Sequence, residues 1–185
     1  MTPVQEYAQR TFSYLEQDLL TFEAVVATHS FRGKIGVAMV TNACAALDLF
    51  AWLLYQRFDL TIKNHELFKR LVSDTRFFDP AAFINPKILY GIVRCGVVHQ
   101  FYPKGISIVA LARDEPFLNQ NGDPRVNALG LYRTVVAGLK KVRDHIMTAS
   151  GTTLTDLDTK FELRGKIDRE ALEGAKLDPA ILPPM

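Results

Sequence analysis

Ile35-Gly36-Val37-Ala38-Met39-Val40-Thr41-Asn42-Ala43-Cys44-Ala45-Ala46-Leu47-Asp48-Leu49-Phe50-Ala51-Trp52-Leu53-Leu54-Tyr55 is apolar nearly all round, interrupted mainly by Thr41, Asn42 and Asp48. A run of this length and character is either a membrane span or the central helix of a bundle. Asp48 decides between them. A carboxylate at mid-membrane costs roughly 2.5–3.5 kcal/mol on insertion scales, and no second such run follows. The stretch is therefore expected to be a buried helix, with no membrane partner. Asn42 and Asp48 then need partners inside the fold, either neighbouring backbone and an arginine or a polar cleft.

Upstream, Thr2-Pro3-Val4-Gln5 has the form of a capping box with proline at the first helical position. Val4, Ala8, Phe12, Leu15, Leu19, Phe22 and Val26 then recur at three- and four-residue steps, which predicts a long amphipathic helix ending near His29 to Gly33. Downstream, Thr61 to Asp74 predicts a shorter helix with Leu67, Phe68 and Leu71 inward. Asn85-Pro86 opens another, whose phase runs from Ile88 through Ile92 and Cys95 or Gly96 to His99, with Pro103 as its latest end.

Gly105 to Ala112 carries Ile106, Ile108, Val109 and Leu111 and predicts a strand. It is expected to pair with a strand holding Phe117 and Leu118 in a small hairpin, with Asn121-Gly122-Asp123-Pro124 as a turn or loop. Asn127 is expected to cap a further helix with Leu131, Val135, Leu139, Val142 and Ile146 inward, and with Arg133, Lys140, Lys141 and Arg143 on solvated faces. Beyond Ser150-Gly151 the polar composition predicts a partly ordered tail, with one or two helical turns at Asp168 to Gly174, docking on a partner subunit. The expected fold is all-α: an up-and-down bundle of four to five main helices over 1–150, with a hairpin insertion and a C-terminal tail over 151–185.

The 22 basic and 20 acidic residues leave a net charge of +2, too balanced for the global field to imply nucleic-acid binding, so any RNA site must be a local patch. Cys44 and Cys95 each sit in an apolar run, which supports neither a disulfide framework nor a four-ligand zinc module and fits a reducing compartment. Met1 to Tyr7 lacks the basic start and apolar core of a signal peptide, so a cytoplasmic location is expected.

Arg94 and His99 stand out within the apolar run Pro86 to Lys104. A guanidinium and an imidazole among Ile, Leu and Val are either paired in a local network or face a cleft. Five residues on an ideal helix give about 140° of rotation and roughly 7.5 Å of rise, so the two converge only at a distorted helix end or across a two-fold axis. Gly96 between them makes distortion plausible. Other roles stay open: Arg94 paired with Asp48 or another acid while His99 caps a helix end, or Cys95 and His99, four apart, as two ligands of a metal that lacks two more. Cys95, in an apolar run, is not expected to act as a nucleophile.

Arg94-Cys95-Gly96-Val97-Val98-His99 resembles the signature of the HEPN family of helical-bundle proteins, an arginine followed after four to six residues by a histidine. The resemblance covers roughly Thr2 to Ser150 and implies a dimeric endoribonuclease, needing no metal or other cofactor, that acts as a toxin or as a stress or defence effector. It gives His99 proton transfer and Arg94 stabilisation of the phosphorane. Lys87, Lys104 and Arg113 are near enough in sequence to add phosphate contacts, with Asp48, Asn42 and Tyr102 as supporting polar groups. The implied partners are a second copy, RNA, and an antitoxin or regulatory protein. Cys95 stands where the family often has Asn or Asp, and Phe101 where some relatives have tyrosine, with Tyr102 one residue out of phase. An inactive HEPN-like dimerisation or nucleotide-binding module is the alternative.

Overall fold

The computed structural model describes residues 1–28, 32–57, 62–83, 86–96, 106–120 and 122–174. Helix α1 (Pro3–Ala27) begins where its capping sequence sets it, with Thr2 N–H donating to Gln5 Oε1 at 3.0 Å. Val4, Ala8, Phe12, Leu15 and Val26 are buried along it. The apolar run lies within α2 (Arg32–Tyr55), where Met39, Val40, Ala43, Cys44, Leu47, Phe50 and Ala51 are fully enclosed. Ile35–Tyr55 is long and apolar enough to cross a membrane, with mean hydropathy 1.7, and half of that window is buried within the fold. Helix α3 (Asn64–Val72) turns Leu67, Phe68 and Leu71 inward and packs on α2. Pro86–Ile88 forms α4, a single turn.

Helix α5 (Ala128–Thr148) lies against α1 and α2 and buries Leu131, Val135, Leu139, Val142 and Ile146, the stripe its sequence predicts. A Cβ at Gly138 would stand 2.0 Å from the Phe78 ring, so only glycine lets that ring lie against the helix. Two residues of the basic set on α5 are tied down: Arg133 bonds Glu23 and Asp114 at 2.8 Å each, and the Arg143 guanidinium lies 4.6 Å from the centre of the Phe12 ring.

The expected hairpin is a three-stranded sheet in the order β1-β3-β2. Strand β1 (Ser107–Val109) runs parallel to β3 (Asp123–Asn127), and β2 (Phe117–Gln120) pairs antiparallel to β3, so the hairpin is β2–β3 and not β1–β2. Asp123-Pro124 belongs to β3, with the turn one step earlier at Gly122, φ +81°. Pro124 is tolerated because β1 reaches only Arg125 to Asn127, leaving Pro124 with a strand on one side. Asn127 ends β3 and precedes α5, yet its side chain does not cap. It is fully buried, accepts from Leu111 N–H and donates to the carbonyls of Arg113 and Glu115, all at 3.0 Å. The described residues are thus mostly helical with a small sheet.

Residues 151–174, expected as a tail, form a continuous helix, α6 (Gly151–Gly174). Its apolar stripe is narrow, with Leu157 buried, Leu154 packed on the core, and Phe161 also against Tyr7 at 5.0 Å between ring centres. Polar docking explains the rest. Asp158 Oδ1 accepts from Val4 N–H at the start of α1, and Lys160 Nζ, on a residue 5% exposed, donates to the Leu54 carbonyl at the end of α2. A carboxylate at a helix N-terminus and an ammonium at a C-terminus are both favourable against the helix dipole.

Candidate functional site

After Ile88 the α-helical winding gives way to a π-helical turn, Leu89–Arg94. Such turns bond i to i+5, are wider than α, and recur at functional sites. Leu89 and Val93 anchor this one in the core, while Gly91 faces outward. The turn brings Arg94 to Asp48 on α2, with Nε and Nη2 each 2.8 Å from Oδ2. The guanidinium carbon lies 5.2 Å from the centre of the Tyr90 ring. The side chains of Arg94 and Asp48 are 16% and 25% exposed, so the pair is largely but not wholly shielded. Burial pushes the Asp48 carboxyl up, more than Arg94 pulls it down. Burial is the largest single influence on Arg94 and opposes its charge, but Asp48, with Tyr90 and Cys95, together hold the guanidinium above its usual range.

Beside this pair a cleft of about 300 Å³ opens between α2, α3, the π turn and α6. Asp48, Trp52, Asn64, Leu67, Arg94 and Arg164 line it. Arg164 comes from α6, four residues beyond Lys160, so the docking of α6 delivers it to the cleft. Its guanidinium carbon lies 5.5 Å from the centre of the Trp52 ring, and its Nε reaches both oxygens of Asp168 at 3.1 Å. Two guanidinium groups, one carboxylate and an indole around an open cleft can hold an oxyanion beside a flat ring.

The sequence-derived site is only partly assembled among the described residues. Arg94 and Asp48 meet, as the salt bridge left open by the sequence. Asn42 does not join them: its Nδ2 donates to Asp18 Oδ2 at 2.8 Å, because its face of α2 looks toward α1. Arg113 is exposed in the loop that Asn127 pins by the Arg113 carbonyl, and it does not line the cleft. Lys87 is exposed on α4 and does not line it either. His99, Tyr102 and Lys104 lie outside the described residues. Trp52 and Arg164 were missed. Trp52 reads as one more apolar residue of the α2 run, and Arg164 falls in the segment whose polar composition predicts a tail.

Cys44 is buried, and burial followed by the charge of Asp48 pushes its thiol up to about 12, so it is no nucleophile. Among the described residues no three His, Cys, Asp or Glu side chains gather as a set that could hold a metal ion. The chain matches no protein-family model, no curated protein and no solved structure.

Proposed function

We propose that the chain is a HEPN-like up-and-down helical domain that works in the cytoplasm as a homodimer and cuts RNA without a metal, as a toxin or defence effector answerable to an antitoxin or regulatory protein. In this reading the 2′-oxygen attacks the adjacent phosphorus and the P–O5′ bond breaks. His99 takes the 2′-hydroxyl proton, a protonated imidazole returns one to the leaving 5′-oxygen, and a cyclic phosphate and a 5′-hydroxyl result. Arg94 offsets the charge that builds on the phosphorane oxygens. What supports the reading is the placement of Arg94 by a π turn at the wall of an open cleft that holds a second guanidinium.

A second reading is favoured by a specific observation, the two 2.8 Å contacts from Arg94 to Asp48. They suit a structural pair in a catalytically silent HEPN-like interaction module. RNA cleavage in EDTA separates the two. The nuclease reading expects wild-type protein to degrade RNA, with Arg94→Ala and His99→Ala each slower by about 10²-fold or more while remaining folded. RNA left intact by wild-type protein, together with an unstable Arg94→Ala variant, promotes the silent module. Light scattering is expected to give twice the monomer mass. A monomer at every salt concentration would remove the shared two-fold site. Alanine at Lys87, Lys104 or Arg113 is expected to flatten the salt dependence of RNA binding, and an unchanged slope in all three would exclude them.

A further inference from the structure

We infer that the cleft between α2, α3, the π turn and α6 is a nucleotide site, in which Arg164 and Arg94 hold a phosphate and Trp52 carries the base. The inference rests on reading the cleft as the phosphate-handling site but needs neither His99 nor any bond cleavage. Its chemistry is that of a nucleoside phosphate, supplied by a free mononucleotide or by one residue of an RNA strand.

Size comes first. At about 300 Å³ the cleft is at the small end of ligand pockets, fitting one nucleotide and not a duplex. Its walls divide as a nucleotide does. Trp52 and Leu67 offer an apolar side with an aromatic face, on which any base can stack. Arg94 and Arg164 offer planar donor forks, the geometry that matches phosphate oxygens.

Each guanidinium already has a carboxylate, and the two carboxylates differ. Asp48 is shielded and takes the Nε and Nη2 N–H groups of Arg94, which fixes the plane of that guanidinium at the cleft wall. Asp168 and Arg164 are about half exposed, at 53% and 47%, and such surface pairs hold weakly. A phosphate therefore competes with Asp168 for Arg164 at little cost. Turning that fork toward the phosphate also uncovers the indole face it now lies over. Arg164 is the residue that makes the site selective, since without it the cleft has one cation already engaged by one anion.

Trp52 is the sole tryptophan of the chain, so its fluorescence reads this cleft and nothing else. The probes are 5′-AMP, a 2′-O-methyl trinucleotide that cannot be cleaved through its 2′-oxygen, and inorganic phosphate. Saturable quenching by AMP, by the trinucleotide or by both supports the site, and the pattern identifies the source of the nucleotide. Arg164→Ala is expected to weaken binding about tenfold or more. Asp168→Ala, which releases the fork, is expected to tighten it. No response to either nucleotide, or an affinity unchanged in both variants, overturns the proposal. Phosphate binding as tightly as AMP also overturns it, because Trp52 then contributes nothing. Quenching without RNA cleavage sinks the nuclease reading and leaves the site standing; cleavage without quenching does the reverse.

Discussion

Arg94 converges two N–H groups on one oxygen of Asp48, with Nε and Nη2 both 2.8 Å from Oδ2. The contact ties the π turn to the middle of α2, 46 residues away in sequence. Removing the arginine leaves a shielded carboxylate without its charged donors. Arg94→Ala is expected to cost about 1–3 kcal/mol and lower the melting temperature by about 2–10 °C. Asp48→Asn combined with Arg94→Ala should cost less than the sum of the two. Additive losses would show that the two side chains are not coupled.

At the far end of α2, Tyr55 O–H and Arg76 both donate to Asp74, with Arg76 Nη2 2.6 Å from Oδ2. The Arg76 hydrogen bond, helped by Tyr55 after the opposing effect of burial, lowers the Asp74 carboxyl from 3.8 to about 2. A depressed carboxylate stabilises the fold above its unfolded pKa and loses that effect as pH falls through the folded value. Asp74→Asn should therefore be less stable than wild type above about pH 4, by up to about 1 kcal/mol after solvent screening. The gap should close between about pH 4 and 2 in acid melts. A gap that stays constant down to pH 2 would assign the loss to something other than ionisation.

Asn127 makes three hydrogen bonds from a fully buried side chain and so holds the loop from Leu111 to Glu115 against the sheet. Asn127→Ala leaves one N–H and two carbonyls to find other partners, an expected loss of about 2–4 kcal/mol. Asn127→Asp should be at least as damaging, because a carboxylate cannot donate to the Arg113 and Glu115 carbonyls. Chemical denaturation of the two variants checks the order.

Lys160→Ala removes the ammonium from the end of α2 and is expected to cost about 1–2 kcal/mol. The change should also expose Trp52, since α6 carries Arg164 over that ring. A red shift in tryptophan emission before global unfolding is the signature. An emission unchanged up to the main transition would mean that α6 holds its place without Lys160.

Helices α1, α3 and α5 are legible in the sequence because each buries a stripe, and residues such as Phe12, Leu71 and Leu139 fall where a 3.6-residue period puts them, while α2 is legible from its length and its all-round apolar character. The sheet order is not legible, because Pro124 argues against a strand until the short reach of β1 is known. Helix α6 hides for another reason. Its stability comes from Asp158 and Lys160 meeting the ends of other helices, and from pairs such as Asp156–Lys160 along its own face. None of this appears as hydrophobic period. Of the site, the Arg94–Asp48 pair is visible as two costly charges needing partners, whereas Arg164 depends on a packing that only the assembled fold provides.

The π turn also has a consequence for alignment. A residue in this wider winding turns the chain through less than the 100° of an α-helix, so the turn absorbs length that an α-helix would convert into rotation. Gly91, exposed and with open space where a Cβ would stand, is the residue whose loss would disturb packing least. Its deletion would return the segment to α winding and leave the arginine opposite Asp48. Two homologous chains could thus hold the same arginine in the same place with spacings that differ by one residue, and a motif counted along the chain would align only one of them.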